Sequence, residues 1–190
     1  VFLTFRFVTA REMPWAPKGH EVAWDQFALP TRPAKAPTRR PAAPAPEIAE
    51  DAASITIAGD SFRIVFDRES GRIREWEAEG QRLLTAGPLG IVWRAPTDND
   101  GLKLMPERRK AMTHWLELGL DRAEMRLARM AARRSAGAAV VTLSHNLVVD
   151  GKPAGLRHGQ VITVRGDGAA RFENTMQLAA RLADPPRLGV

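Results

Sequence analysis

The sequence predicts a mainly β protein, an antiparallel β-sandwich with one helix near residues 106–118. Short apolar stretches alternate with polar residues at a period of two, and turn residues rich in glycine and aspartate separate them. Strands spaced about ten residues apart are typical of sandwiches and barrels. A composition of 44% hydrophobic and 26% charged residues is ordinary for a globular protein.

Residues 1–29 predict two short strands around a turn that contains proline and glycine. In the first strand Leu3, Phe5 and Phe7 alternate with polar residues, and the second is the apolar stretch 21–27. Two strands alone cannot bury an apolar face in water. We therefore expect this piece either to pack on the later part of the chain or to be the end of a larger domain.

Residues 30–53 are predicted to be a linker rich in proline, alanine and arginine. Six of the seventeen positions from 30 to 46 are proline. Because proline fixes φ and removes a backbone donor, we expect an extended, semi-rigid spacer. A proline-rich ligand for an aromatic groove is the alternative interpretation.

From residue 54 onward the chain returns to strand patterns. The predicted strands cover 54–58, 62–66, 73–78, 82–84, 139–149, 161–164 and 172–178. Between them, Pro106 favours a helix start and Gly119 favours its end, with apolar residues of the helix sharing one face.

The stretch 121–134 fits two structures. Arg122, Arg126, Arg129 and Arg133 recur at helical spacing, whereas apolar residues in the same stretch alternate with charged ones as in a strand. Periodicity alone favours a helix.

Several function classes are disfavoured by composition. Cysteine is absent, which excludes disulfides, thiolate metal sites and cysteine nucleophiles. No apolar run is long enough for a transmembrane helix. The four histidines (20, 114, 145 and 158) lack metal-ligand spacing, so we expect them on the surface or in packing. Phosphate-binding glycine motifs do not occur.

The net charge of +6 raises the possibility of a nucleic-acid partner. However, 23 of the 28 basic residues are arginine and only 5 are lysine. An excess of arginine and alanine also arises from a GC-rich genome, so the charge alone does not predict such a partner.

Residues 93–101, here called the signature segment, concentrate an aromatic, a guanidinium and two carboxylates beside a turn. Asp98 and Asp100 lie roughly 7 Å apart in an extended chain, which suggests a catalytic acid pair. The pattern also resembles the start of a calcium loop, although Leu102 stands where an oxygen ligand belongs. The structural alternative is that the acidic residues cap turn donors while Arg94 neutralises them.

The signature segment, which reads WRAPTDND from residue 93, resembles the signature of the carboxy-terminal domain of large bacterial β-galactosidases, family-two glycoside hydrolases. Three further pieces agree in order. GHEVAWDQFALP (19–30) resembles the end of the preceding immunoglobulin-like domain, 61–84 the opening strands of the terminal domain, and PPRLGV (185–190) a motif midway through it.

The resemblance implies three regions. Residues 1–29 would end an immunoglobulin-like β-sandwich, 30–53 would link, and 54–190 would form the first part of a truncated supersandwich similar to galactose mutarotase. It also implies that 124–134 is a strand paired with 139–149, which replaces the helical interpretation.

The resemblance further implies that the chain is part of an enzyme hydrolysing terminal β-D-galactose residues from β-galactosides such as lactose. In that family two glutamates of a barrel domain act with retention, and magnesium and sodium are bound by a domain absent here. No residue here matches those groups, so we expect a non-catalytic portion without a cofactor of its own. Its expected partner is the rest of a cytoplasmic, homo-oligomeric enzyme, without nucleic acid or membrane.

In the family, the loop after the signature moves over the substrate pocket. Asp98, Asn99, Asp100 and Gly101 are therefore the predicted substrate-proximal residues, with Gly101 as the hinge of a short loop that runs to Arg109. No catalytic or metal-ligating residue is predicted.

Two alternatives remain. One is a non-catalytic carbohydrate-binding or assembly module that shares the sandwich. The other is a nucleic-acid-binding protein that uses residues 122–134 as a basic helix.

Overall fold

The computed structural model describes residues 1–30, 43–101, 106, 110–182 and 184–190. The chain divides into two compact units, Val1–Pro41 and Ala42–Val190. The sheets are antiparallel, which confirms the predicted fold class. No helix within the described ranges has the length and apolar character needed to cross a bilayer.

The first unit contains a β-hairpin. Strand β1 (Phe2–Val8) pairs with β2 (Glu21–Ala28), and the rings of Phe5 and Phe27 meet edge to face with centroids 5.9 Å apart. Every residue of both strands is exposed. The hairpin therefore presents large apolar side chains to solvent: Phe2, Phe5, Phe7, Val22, Trp24 and Phe27.

The second unit begins with a five-stranded sheet in which each strand pairs with the next along the chain. Its strands are β3 (Glu47–Glu50), β4 (Ser54–Gly59), β5 (Phe62–Asp67), β6 (Ile73–Ala78) and β7 (Gln81–Leu84). Hydrogen bonds between residues close in sequence stabilise the turns between these strands. The Asp67 carboxylate, for example, accepts hydrogen bonds from the backbone N–H and hydroxyl of Ser70 at 2.7 and 2.6 Å.

Strand β3 lies inside the range 30–53 that the sequence assigned to a linker. Residues 31–42 of that range lie outside the described residues, but Glu47–Glu50 pair with β4 in regular register. A four-residue strand whose main apolar side chain is Ile48 shows too little alternation to be recognised. Its start directly after a proline-rich run hides it further.

The second sheet has four long strands. They are β8 (Glu124–Ser135), β9 (Ala138–Val149), β10 (Lys152–Arg165) and β11 (Ala170–Leu178), again paired in chain order. β10 is much longer than the predicted 161–164. Its buried face includes His158 and Gln160, so the apolar alternation that marks a strand is interrupted although the burial alternates regularly.

Strand β8 pairs with β9, which confirms the pairing that the resemblance implied. The helical interpretation of its arginine spacing is therefore wrong. A bulge between Leu127 and Arg129 inserts one extra residue into the strand. Arg126 and Arg129 are therefore three residues apart although both oppose outward-facing residues of β9. The arginine spacing that imitated a helix is a consequence of this bulge.

The two sheets pack face to face around one core, which makes the second unit a sandwich. The five-stranded sheet contributes Ile55, Ile57, Phe62, Ile64, Phe66 and Ile73, and the four-stranded sheet contributes Ala139, Val141, Leu143, Ile162 and Val164. His145 and His158 are also buried in this unit, while His20 and His114 are exposed.

One helix, α1 (Ala111–Glu117), lies between the sheets in sequence. It begins later than the predicted start at Pro106, because Lys110 has extended backbone angles and is its N-cap. It ends as predicted near Gly119, whose φ is +70°. Its buried Trp115 joins a second core cluster with Val92, Leu120 and Leu147.

Candidate functional site

A paired arginine and aspartate organise the signature segment. Arg94 Nη1 donates to Asp100 Oδ2 at 2.6 Å, and Nη2 donates to Oδ1 at 2.8 Å. This bidentate arrangement fixes the angle as well as the distance between the two side chains. The chain from residue 94 to residue 100 is thereby closed into a loop.

The turn inside that loop is a short 3₁₀ helix, Asp98–Asp100. Thr97 precedes it, and its backbone N–H and hydroxyl donate to Asp100 Oδ2 at 2.6 and 2.9 Å. Gly101 ends the turn with φ +102°, a left-handed conformation that favours glycine. The order threonine, aspartate, asparagine, aspartate, glycine therefore specifies this turn locally.

Arg94 also reaches the segment near residue 186. Its Nε donates to the carbonyl oxygen of Pro186 at 2.8 Å, and its guanidinium carbon lies 5.3 Å from the ring centroid of Trp115. Trp115 Nε1 in turn donates to the carbonyl oxygen of Asp184 at 2.8 Å. Two motifs that the sequence identified separately, 93–101 and 185–190, thus meet.

A backbone bridge strengthens this junction. The Ile91 N–H donates to Gly189 O at 2.8 Å, and the Gly189 N–H donates back to Ile91 O at 3.2 Å. Together with the Arg94 contacts, the bridge holds residues 91–101 and 184–189 side by side. We call this arrangement the Arg94 junction.

Electrostatics at the junction oppose proton transfer. The Arg94 guanidinium, followed by the Thr97 hydrogen bonds, holds the pKa of Asp100 well below its ordinary value. Asp100 in turn raises the pKa of Arg94. A carboxylate so strongly held in its ionised form is a poor general acid, and its oxygens are already occupied by donors. The geometry therefore favours the capping interpretation over an acid pair or a calcium ligand.

The four predicted substrate-proximal residues differ in environment. Asp98 and Asn99 are exposed at the turn, whereas Asp100 and Gly101 are buried. A Cβ placed on Gly101 would lie 2.5 Å from Lys110 Cγ, so the two ends of the predicted mobile loop are close together. Residues 102–105 and 107–109 of that loop lie outside the described residues. Its predicted movement stays a prediction.

Sequence reasoning missed three participants in the junction: Trp115, Asp184 and Pro186. Two of them contribute only backbone carbonyl oxygens, which no residue type reveals. Trp115 was recognised only as part of an apolar helical face. Among the residues that the structure describes, no group of three or more metal-ligating side chains comes together.

Comparison with known proteins places this site in a family. The family model described as "Beta galactosidase small chain" matches residues 58–190, and one described as "Beta-galactosidase, domain 4" matches residues 1–30. Both the signature segment and the 184–190 segment lie inside the first match.

Proteins named β-galactosidase align along nearly the whole chain. The protein from Priestia megaterium is 27% identical over 99% of the chain, that from Psychromonas ingrahamii 28% over 100%, and that from Aeromonas hydrophila 31% over 99%. The aligned region is only 17%, 19% and 18% of the respective relatives. The chain therefore spans less than a fifth of the proteins it matches.

Proposed function

This chain belongs to the β-galactosidase small chain family, and from that membership we propose that it is a non-catalytic portion of a glycosidase that releases terminal β-D-galactose from β-galactosides such as lactose. One observation carries the proposal: the family match over residues 58–190 contains both halves of the Arg94 junction. Arg94 and Pro186 lie 92 positions apart in sequence. Their contact therefore depends on the fold of the chain, and a similar amino-acid composition alone would not produce it.

The junction suggests a supporting role beside the active site. The carboxylate of Asp100 accepts hydrogen bonds from Arg94 and Thr97, which fix the shape of the turn. The neighbouring Asp98 and Asn99 are exposed on this turn. We propose that this turn borders the substrate pocket of the complete enzyme. Binding groups placed on a rigid turn lose little conformational entropy when a ligand arrives.

We propose that the catalytic residues lie elsewhere in the parent protein. Retaining glycosidases need two carboxyl groups about 5 Å apart on either side of the glycosidic bond. The strongly held Asp100 is unsuited to either role. The proposal places the catalytic glutamates, the magnesium and sodium sites and the homo-oligomer contacts in the remaining four-fifths of the relatives' length, in a cytoplasmic enzyme.

Hydrolysis of a chromogenic β-galactoside tests the proposal. We would assay the chain alone and after mixing with the rest of the parent enzyme. We expect no hydrolysis from the chain alone and hydrolysis on mixing. Activity of the chain alone would overturn the proposal. Silence of the mixture with a folded partner would favour the non-catalytic carbohydrate-binding or assembly module instead.

Two variants sharpen the assay. Asp100→Asn disrupts the junction and should reduce the activity recovered on mixing. Arg165→Gln is the matched control, because the ion pair that the described residues show for Arg165 is with Asp167 at the β10–β11 hairpin, away from the junction. An equal loss in both variants would show that the assay measures general stability and not the junction.

A further inference from the structure

An open groove of about 800 Å³ lies on the outer face of the four-stranded sheet, away from the sandwich core. Arg129 and Arg133 on β8 and Arg157 on β10 line it, and Gly159 lies among the lining residues between them. Small-molecule sites commonly occupy roughly 300–1,000 Å³. The groove has the size of a ligand site and shares no residue with the Arg94 junction.

The groove carries uncompensated positive charge. Several other arginines of the same sheet are paired, among them Arg126 with Glu124 at 3.1 Å and Arg171 with Glu173 at 3.0 Å. Among the described residues, the three groove arginines form no ion pair. Glu173 is the one carboxylate in the described lining, and it is already held by Arg171. An anion entering the groove therefore meets three guanidinium groups with which no described carboxylate is paired.

Two of these arginines lie beside the same residue, Ser144. Arg157 Nε donates to Ser144 Oγ at 2.9 Å, and Ser144 is the cross-strand partner of Arg129. Ser144 is buried, so the bond fixes the Arg157 side chain against the sheet. A guanidinium held in place in this way loses less rotamer entropy when it binds a carboxylate or sulfate.

Space for a ligand lies next to Ser144. Gly159 is the cross-strand neighbour of Ser144, and a Cβ added to it would approach only the carbonyl oxygen of Thr175, at 3.8 Å. Hydroxyl and amide side chains complete the described lining, namely Thr142, Thr175 and Gln177. These groups both donate and accept hydrogen bonds. The described lining contains no aromatic ring.

We propose that this groove binds an acidic saccharide, whose carboxylate or sulfate lies between Arg129 and Arg157 and whose hydroxyls contact the threonine and glutamine side chains. Guanidinium groups pair bidentately with such oxyanions. Single-stranded nucleic acid is disfavoured because its bases require aromatic surfaces for stacking. A protein partner is disfavoured because stable interfaces bury about 800 Å² per partner around an aromatic-rich core. The inference goes beyond the proposed function and does not depend on it.

Isothermal titration of the 190-residue chain tests the proposal. The probes are tri-galacturonate, the neutral galactotriose and a hexapeptide of glutamate, each at low and high salt. We expect the acidic trisaccharide to bind at low salt, with affinity falling as salt screens the charges. Galactotriose should bind at least about tenfold more weakly, since it lacks the carboxylates and a charged hydrogen bond contributes that much. The peptide should also bind more weakly than the acidic trisaccharide, because it has carboxylates but no hydroxyls to pair with the threonine and glutamine side chains.

Three variants connect binding to the groove. Arg157→Gln removes a cation and should weaken binding about tenfold. Gly159→Val fills the groove without changing charge, and valine is a good strand residue. Arg134→Gln is the matched control, because Arg134 neighbours Arg133 on β8 but points to the opposite face and does not line the groove.

The outcomes separate clearly. Loss in the first two variants with binding kept in Arg134→Gln supports the groove. Equal loss in Arg157→Gln and Arg134→Gln, with binding kept in Gly159→Val, would overturn it, because the effect would then be one of net charge and not of the groove. Equal binding of galactotriose would also overturn it, and preferential binding of the peptide would assign the surface to an acidic protein. Absence of any binding by a chain with a β-rich circular dichroism spectrum would overturn it outright.

Discussion

His145 and His158 stack against each other inside the second unit, with ring centroids 6.3 Å apart and planes inclined by 28°. Each ring has one described partner: His145 Nε2 lies 2.8 Å from Ser70 O, and His158 Nε2 lies 3.0 Å from Asn174 Oδ1. The Nδ1 atoms of both rings are buried without a described partner. A proton on either ring would place charge beside the other.

Burial lowers the pKa of His145 below its ordinary 6.5; the hydrogen bond to Ser70 opposes this shift, and the neighbouring His158 adds a smaller lowering effect. Because the folded state then binds fewer protons than the unfolded state, the free energy of unfolding should fall as pH drops below about 6.5. The slope from one proton cannot exceed about 1.4 kcal/mol per pH unit. Urea unfolding between about pH 5 and 8 measures it.

His145→Gln should flatten this pH dependence, because the amide can still donate to Ser70 O and does not titrate. His114→Gln is the control, since His114 is exposed on α1 and should leave the dependence unchanged. Stability that rises on acidification to about pH 5 would contradict the account.

Asp100→Asn should lower Tm by about 4 °C. The new amide group presents donors to Arg94, which is itself only a donor, so the bidentate pair is lost while Thr97 keeps one acceptor. Thermal melting by circular dichroism measures the change. Asp60→Asn, at the exposed turn between β4 and β5, makes the same change in charge and should melt within about 1 °C of the parent chain.

Trp115→Phe should cost about 1 kcal/mol more than Trp76→Phe. Both rings are apolar packing elements, but Trp115 Nε1 donates to Asp184 O while Trp76 Nε1 is buried without a described partner. Denaturant unfolding gives the difference. Faster hydrogen exchange of the Ile91 and Gly189 amides in Trp115→Phe would trace the effect to the Arg94 junction, and equal costs for the two variants would refute it.

Gly101→Ala should destabilise the chain by about 1–3 kcal/mol. Its φ of +102° is unfavourable for alanine, and the added methyl would collide with Lys110. Gly137→Ala isolates the backbone contribution, because Gly137 also has a positive φ of +77° but nothing lies within 4 Å of its Cβ position. Equal losses in the two variants, measured by urea unfolding, would show that the contact with Lys110 is unimportant.

The 190-residue chain should self-associate through the β1–β2 hairpin, because exposed apolar strands favour association. Phe5→Thr with Phe27→Thr keeps strand-forming residues while removing the ring pair, and should shift the sedimentation profile towards monomer. Leu83→Thr, at an exposed site on β7, is the control. A parent chain that sediments as monomer at every concentration would contradict the prediction.

Alternating strands with short turns could be located from the sequence because their signals are local. β4 and β5 place aliphatic or aromatic core residues two positions apart, Ile55 with Ile57 and Ile64 with Phe66, and β9 is a twelve-residue stretch rich in valine and leucine. β8 could not be located from periodicity, since a single inserted residue at Leu127/Arg129 changes the spacing of every later side chain. The resemblance to the family, and not the periodicity, identified this stretch as a strand.

The candidate site likewise has one part that adjacent residues encode and one part that depends on the fold. The turn from Thr97 to Gly101 follows from adjacent residue types, each satisfying a donor or a φ angle of the next. The contact of Arg94 with Pro186 O depends on where the sandwich carries residues far apart in sequence. No local pattern encodes it.

The order of the strands also bears on how the chain folds. Each sheet pairs only consecutive strands, so each can form from a contiguous stretch with short loops to close. The Ile91–Gly189 bridge instead closes a loop of nearly one hundred residues. During synthesis the ribosome must release residues 184–189 before the signature segment can acquire its final contacts, so this turn is among the last parts to mature although its sequence emerges early.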